Sequence, residues 1–465
     1  MPDQILRASI LNPRADGSVE WIRDGVIHAD FTGRIAFVGE WADVASCLGP
    51  AANVHRASGV IIPPLLDNHI HIPQHPIRGR FMEGVDANPK EGRLIAGLNR
   101  NVFPTEAKCA DARYTEQIVR EFLRDTLTNG VVGGAAYMTV HPQAARIALE
   151  ILPETWSVGP VLMNVNCPEY LRTDEASWEK EVEVLASDFG RRVIVTDRFA
   201  VSVSTALRRQ AAGLAKRFGL RMQTHLNEQI SEKRFVEQTL YPDAGTYTDV
   251  YDRDGLLDCE PILAHCVRMS SAEFEQVAQH SGACIAHCPT SNTLLGSGIM
   301  PLDQLFEHGI EYAICTDVGA SPTTSILAEM AQYLKVHRGR SSRATPSEAL
   351  FRSTLAAARM LGIDDLGTFE VGKPLSYLEV ACDPNVIQSA DANEVILHAL
   401  FGSSSRELDA WASTHQESLK RLESQGLDIG EHLQSLSDEI ETTRKVMENK
   451  IVRVVMNGAV VHEAP

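Results

Sequence analysis

Eight short apolar runs, each followed by a longer amphipathic or loop-rich stretch, dominate the middle of this 465-residue chain. They lie at 60–72, 131–138, 158–165, 193–203, 221–225, 261–266, 283–288 and 312–316. Such runs read as strands buried on both faces, and the helical patterns between them (for example 115–127, 206–217 and 271–280) supply crossover connections. Strands joined through helices run parallel, and eight of them fit a closed (β/α)8 barrel of the TIM type. Barrels of this kind exceed the usual length of a domain, so the length of the chain does not force subdivision.

The two ends are written differently. Segments 5–11, 19–28 and 34–38 are strand-like, with Asp16-Gly17, Asp24-Gly25 and Thr32-Gly33 supplying turns between them. The C-terminal end repeats the style, with 451–456 and 459–462 flanking Asn457-Gly458, a strong hairpin signal. The reading is a small composite β-sandwich built from 1–63 and 373–465, and a barrel at 64–372. Thr345-Pro346-Ser347-Glu348 opens a helix predicted to run to about residue 361. Segment 403–450 is polar and helix-prone, with sparse apolar points at Trp411, Leu419, Leu422, Leu433 and Leu436. It reads as two or so helices forming a solvated arm, with an interaction or oligomer surface as the alternative.

A formal net charge of −18 argues against a nucleic-acid partner, which needs a basic stripe. Nine scattered cysteines read as reduced thiols rather than a disulfide framework. The first residues lack the pattern of a secretion signal, and no apolar stretch is long enough to span a bilayer. The expectation is a cytoplasmic protein that acts on small molecules, away from membranes.

In a parallel barrel the reacting groups collect at the C-terminal ends of the strands. The first run ends in Asp67-Asn68-His69-Ile70-His71, the fifth in Thr224-His225-Leu226-Asn227-Glu228, the sixth in Ala264-His265-Cys266 and the eighth in Thr316-Asp317. Residues i and i+2 of a strand point the same way, so His69 and His71 reach one point. With His225 and Asp317 they make a plausible cage for one divalent metal, zinc by donor type, with ferrous iron as the alternative. Such a metal lowers the pKa of bound water toward neutrality. Glu228 would sit beside that water as a proton carrier, and His265 would steady the tetrahedral intermediate. Cys284 and Cys288 have no second pair at zinc-site spacing, so they read as packed thiols, with His287 lining the pocket or supporting a ligand. The nucleotide-binding glycine motifs and the Gly-x-Ser-x-Gly elbow are absent.

The order His-x-His, His-x-x-Glu, His, His-Cys-Pro-x-Ser-Asn and Thr-Asp, from 60 to about 372, resembles the amidohydrolase superfamily in its mononuclear cyclic-deaminase branch. No lysine follows the fourth run where two-metal members carry a carbamylated ligand, which favours a single metal. Within the branch the chain is most similar to the guanine deaminases, through His69-Ile70-His71-Ile72-Pro73-Gln74, Arg198-Phe199, Leu240-Tyr241-Pro242, Tyr247-Thr248 and Val250-Tyr251-Asp252. The resemblance implies a purine substrate held by Gln74, Arg198 and Phe199, catalysis by Glu228, His265 and Asp317, one Zn2+ and a homodimer. An amide, a guanidinium and a phenyl ring suit a flat ring carrying carbonyl and N–H groups. 8-Oxoguanine and pterins fit the same residues; nucleosides and chloro-s-triazines fit them less well.

Overall fold

The computed structural model describes residues 3–47, 53–86, 92–383, 391–424 and 430–464. Parallel strands follow one another round the middle of the chain. Leu65–His71, Val131–Tyr137 and Trp156–Gly159 pair in one sheet. Val161–Leu162, Val195–Asp197, Met222–Leu226, Ile262–His265, Cys284–His287 and Glu311–Ile314 pair in a second. The sheets meet where Val158 bridges Val193, on either side of the break at Pro160. At the other seam the Asp317 N–H donates to the His69 carbonyl at 2.9 Å, and the Thr316 N–H to Asp67 Oδ1 at 3.1 Å. These bonds bring the last strand's end onto the first, giving a ring of eight strand positions with helices outside: a (β/α)8 barrel.

Three apolar runs differ from their predicted extents. The run 60–72 serves two sheets: Val54–Ile62 pairs with Gln4–Pro13, and only after Pro63-Pro64 does Leu65–His71 begin the barrel. Proline offers no ladder N–H and fixes φ, so the pair turns the chain from one sheet into the other. The run 158–165 is cut at Pro160 for the same reason. Of 193–203 only Val195–Asp197 is strand, and the chain leaves the ladder at Arg198. The helix predicted over 345–361 is two helices, Pro346–Ser353 and Leu355–Leu361, broken at Thr354 with φ −127° and ψ −92°.

Strands from both ends join one mixed sheet of seven, in which Val54–Ile62 lies between Gln4–Pro13 and Tyr377–Val380. The sheet curls, since Ile35 at its far edge bonds back to Lys373 and Gly372. One face encloses a core of its own around Ile10, Ile27, Ile61 and Phe369, and the other packs Leu11, Val60 and Leu378 against the barrel. All nine cysteines are free thiols, and no helix among the described residues is long and apolar enough to cross a membrane.

The segment 403–450 is not a solvated arm. It forms three described helices, Ser405–Thr414, Gln416–Glu423 and Gly430–Met447. Leu419 and Leu436 pack on Val336 in a small cluster, with Trp411 and Ile299 against it. Lys335 donates to Thr443 Oγ1 at 2.8 Å, and Thr323 Oγ1 donates to Glu448 Oε1 at 2.7 Å. The physical reason lies in the helix beneath, Ile326–His337, where every residue except Lys335 is buried. One side faces the barrel, and the inserted helices cover the other.

Candidate active site at the barrel mouth

The strand ends converge. His69 Nε2 and His71 Nε2 lie 3.3 and 3.2 Å from Asp317 Oδ1, and His225 Nε2 lies 3.2 Å from His71 Nε2. Donor atoms of His69, His225, His265 and Asp317 all lie within 4.8 Å of one another. His265 stands at the outer edge, its Nε2 4.0 Å from Asp317 Oδ2 and 3.7 Å from Glu228 Oε2. The inner set is therefore His69, His71, His225 and Asp317. Ligands at zinc–nitrogen bond lengths on a tetrahedron stand about 3.4 Å apart, close to the spacings seen. The His69 ring is buried; its Nδ1 makes no hydrogen bond, and its Nε2 faces Asp317 Oδ1 at 3.3 Å, as expected where a nitrogen lone pair is kept for a cation shared with that carboxylate. Three imidazoles and a carboxylate at these distances fit one divalent metal.

The backbone bends to achieve this. His265, Cys266 and Asp317, with φ of 70°, 51° and 56°, leave their strands in the left-handed region, which non-glycine residues rarely adopt. Protonation follows from burial and neighbours. Burial works against the Asp317 carboxylate, but hydrogen bonding to His69 and His71 outweighs it and holds the group well below its usual range. Burial lowers His69 to about 4 and raises Glu228 to about 7. Burial disfavours the His265 cation, yet Glu228 and Asp317 overcome that and raise it.

Above the inner set lies a narrow pocket. Gln74, Arg198 and Phe199 line it together with Glu228, His265 and Asp317. It adjoins a wider cavity of about 500 Å3, which shares Phe81 and Leu295 and is bordered by Leu433, Ser437 and Ile440 of the inserted helix.

The Amidohydrolase family model matches residues 60–397. The chain belongs to the amidohydrolase family. It is 31% identical over 381 residues to the guanine deaminase of Escherichia coli (strain K12), covering 80% of this chain and 84% of that one. It is 29% identical over 398 residues to the guanine deaminase of Mus musculus, covering 80% and 85%. The solved E. coli guanine deaminase superposes with a TM-score of 0.79 at 24% identity over 100% of both chains. A guanine deaminase from C. acetobutylicum with bound guanine in the active site superposes at 0.76 and 23%, over 99% of this chain and 100% of that one.

Several residues of this amidohydrolase site went unread in the sequence. Glu106 accepts hydrogen bonds from both Gln74 and Arg198. Ser291 Oγ donates to Asp317 Oδ2 at 2.6 Å, and Ser297 Oγ donates to Glu228 Oε1 at 3.0 Å. Asn292 Oδ1 lies 2.9 Å from His265 Nδ1, so the imidazole keeps Nε2 for the pocket. Ser291 and Asn292 belong to His287-Cys288-Pro289-Thr290-Ser291-Asn292, where a short helix, Pro289–Leu294, carries them inward. His287 itself turns away, bonding His337 at 2.9 Å, and does not line the pocket. The motif tyrosines brace the strand ends: Tyr251 Oη donates to Asp197, and Tyr247 Oη to Glu232, whose carboxylate accepts the Glu228 and Gln229 N–H groups.

Proposed function

We propose that this protein hydrolyses guanine to xanthine and ammonia. The observation that carries the reading is one pocket holding a three-histidine, one-carboxylate set, a buried glutamate beside it and an Arg–Gln pair facing the same space. Similarity to guanine deaminases over most of both chains supports it. In this reading 64–372 is the catalytic unit, and 1–63 with 373–465 is its scaffold.

His69, His71, His225 and Asp317 hold one divalent cation, zinc by donor type, with ferrous iron as the alternative. The cation supplies Lewis acidity that makes a water nucleophilic at neutral pH. Arg198 donates to the ring carbonyl, Gln74 offers its remaining amide hydrogen to a ring acceptor, and Phe199 lies against the π face. As water oxygen bonds to C2, Glu228 takes a water proton and passes it to the adjacent ring nitrogen. Its near-neutral proton affinity suits both halves of that transfer. His265 donates to the new oxygen, and Asp317 takes the second proton and returns it to the departing amine, so the C2–N bond breaks to release ammonia. A cytoplasmic homodimer completes the reading, supported by the free thiols and by the sequence resemblance.

The test is ammonia release, with identification of the ring product, from guanine, 8-oxoguanine, other aminopurines and pterins. Guanine should give the highest kcat/KM and yield xanthine. No release from guanine, or a much larger kcat/KM on a pterin, sinks the reading.

A further inference from the structure

We propose that Glu106 is the positioning residue that sets ring recognition, aiming Gln74 and Arg198 and cancelling the charge of Arg198 so that the pocket favours a neutral ring over an anionic one. The inference deepens the guanine reading and rests on it.

Glu106 ends the short helix Phe103–Glu106 and is 1% exposed. Its Oε1 accepts from Gln74 Nε2 at 2.9 Å and from Arg198 Nη1 at 2.9 Å, and its Oε2 accepts from Arg198 Nη1 at 2.7 Å. An ionised carboxylate only accepts, so the Gln74 amide must turn its nitrogen toward Glu106. Gln74 Oε1 then lies against Gly319. That leaves one Nε2 hydrogen of Gln74, with the Nη2 and Nε donors of Arg198, for a ring. The Arg198 guanidinium is further seated 5.2 Å from the Phe103 ring centroid, one turn back on the same helix. Two recognition side chains from separate strand ends thus share one anchor.

The charge argument is separate from the aiming. Without Glu106, Arg198 places a buried positive charge at the ring-binding end; with it, the pair is neutral. Guanine is neutral near pH 7. Replacing its amine with a second carbonyl stabilises the conjugate base, so the product is the more acidic ring. A neutral pair gives the anionic product nothing to grip, whereas an isolated buried guanidinium would hold it.

The experiment compares wild type, Glu106→Gln and Glu106→Asp by guanine kinetics and by equilibrium binding of xanthine from about pH 6 to about pH 9. Thermal unfolding and metal content establish that each variant is folded. In Glu106→Gln the guanine KM should rise roughly 10- to 100-fold with a much smaller change in kcat. Xanthine should bind this variant more tightly as pH rises, the reverse of the wild-type trend. In Glu106→Asp the shortened side chain loses one of its partners but keeps its charge, so KM rises while the wild-type pH trend persists. A Glu106→Gln protein with wild-type KM and wild-type xanthine trend overturns the proposal. If that variant does not fold, a wild-type KM in Glu106→Asp overturns it instead. Absence of guanine turnover by the wild type sinks the guanine reading itself, a result distinct from any variant-to-wild-type ratio.

Discussion

His225 Nδ1 lies 2.6 Å from the backbone oxygen of Arg198, while its Nε2 faces His71 Nε2 at 3.2 Å. The Nδ1–H donates to that carbonyl, which leaves the Nε2 lone pair for the histidine–carboxylate set. The residue whose side chain borders the ring pocket therefore also fixes, through its main chain, the tautomer of a candidate metal ligand.

This relationship separates two variants. His225→Ala should remove a ligand, drop bound metal well below one per chain and cut kcat/KM by more than about 100-fold. Arg198→Ala keeps the carbonyl, so metal content should stay at the wild-type level while the guanine KM rises roughly 10- to 100-fold. Metal analysis beside steady-state kinetics checks both. Loss of metal in Arg198→Ala would show that the two halves of the site are not separable in this way.

Glu228 is buried, bonded to Ser297 and 3.7 Å from His265, without belonging to the inner set. Glu228→Gln preserves shape and removes the proton carrier. Metal should remain bound while kcat falls on the order of 10²- to 10⁴-fold. Near-normal turnover by this variant would remove Glu228 from the mechanism.

The inner set and His265 were legible because chemistry and strand termination coincide at each of them. His69 and His71 share a strand face, and His225, His265 and Asp317 each follow an apolar run. Glu106 gave no such signal. It lies in an irregular helical stretch between the first two barrel strands and meets Arg198, 92 positions away, only once the barrel has formed. The inserted helices were underread for a related reason. Leu419, Leu422 and Leu436 look sparse along the chain, but their partner surface is the outer side of Ile326–His337, whose all-round burial is a tertiary fact. The strand breaks at Pro63-Pro64 and Pro160 went unread, although proline inside an apolar run argues against an unbroken strand.

Gly319, at φ +125°, allows Gln74 to sit where it does, because a Cβ built there would overlap Gln74 Oε1. Gly319→Ala should displace the amide and raise the guanine KM about 10-fold or more. In Gln74→Ala, already lacking the amide, the same substitution should add less than it does in the wild type. A double-mutant cycle checks this, and simple additivity of the two effects would count against the contact.

The inserted helices should contribute to stability rather than hang free. Leu436 is 1% exposed against Val336 and Leu419. Leu436→Ala should cost about 2–5 kcal/mol, as for other large-to-small changes at buried sites, and lower the Tm. An unchanged Tm would mean that the cluster is loose in solution.

Glu329 offers a test of pH-dependent stability at a position outside the histidine–carboxylate set. It is fully buried in the helix Ile326–His337, accepts from the Thr290 N–H and from Ser321 Oγ, and is pushed by burial from 4.5 to about 8. The folded protein thus keeps this proton after the unfolded chain has lost it. Between the two values the unfolded state binds fewer protons, so this group's contribution falls as pH rises, by at most about 1.4 kcal/mol per unit, and levels off above the folded value. Glu329→Gln cannot ionise and should show a flatter dependence through that window. Urea denaturation of both proteins from about pH 5 to about pH 9 measures the difference. Parallel curves for the two would mean that Glu329 ionises without penalty in the fold, and that its bonds to Thr290 and Ser321 stabilise the carboxylate enough to offset its burial.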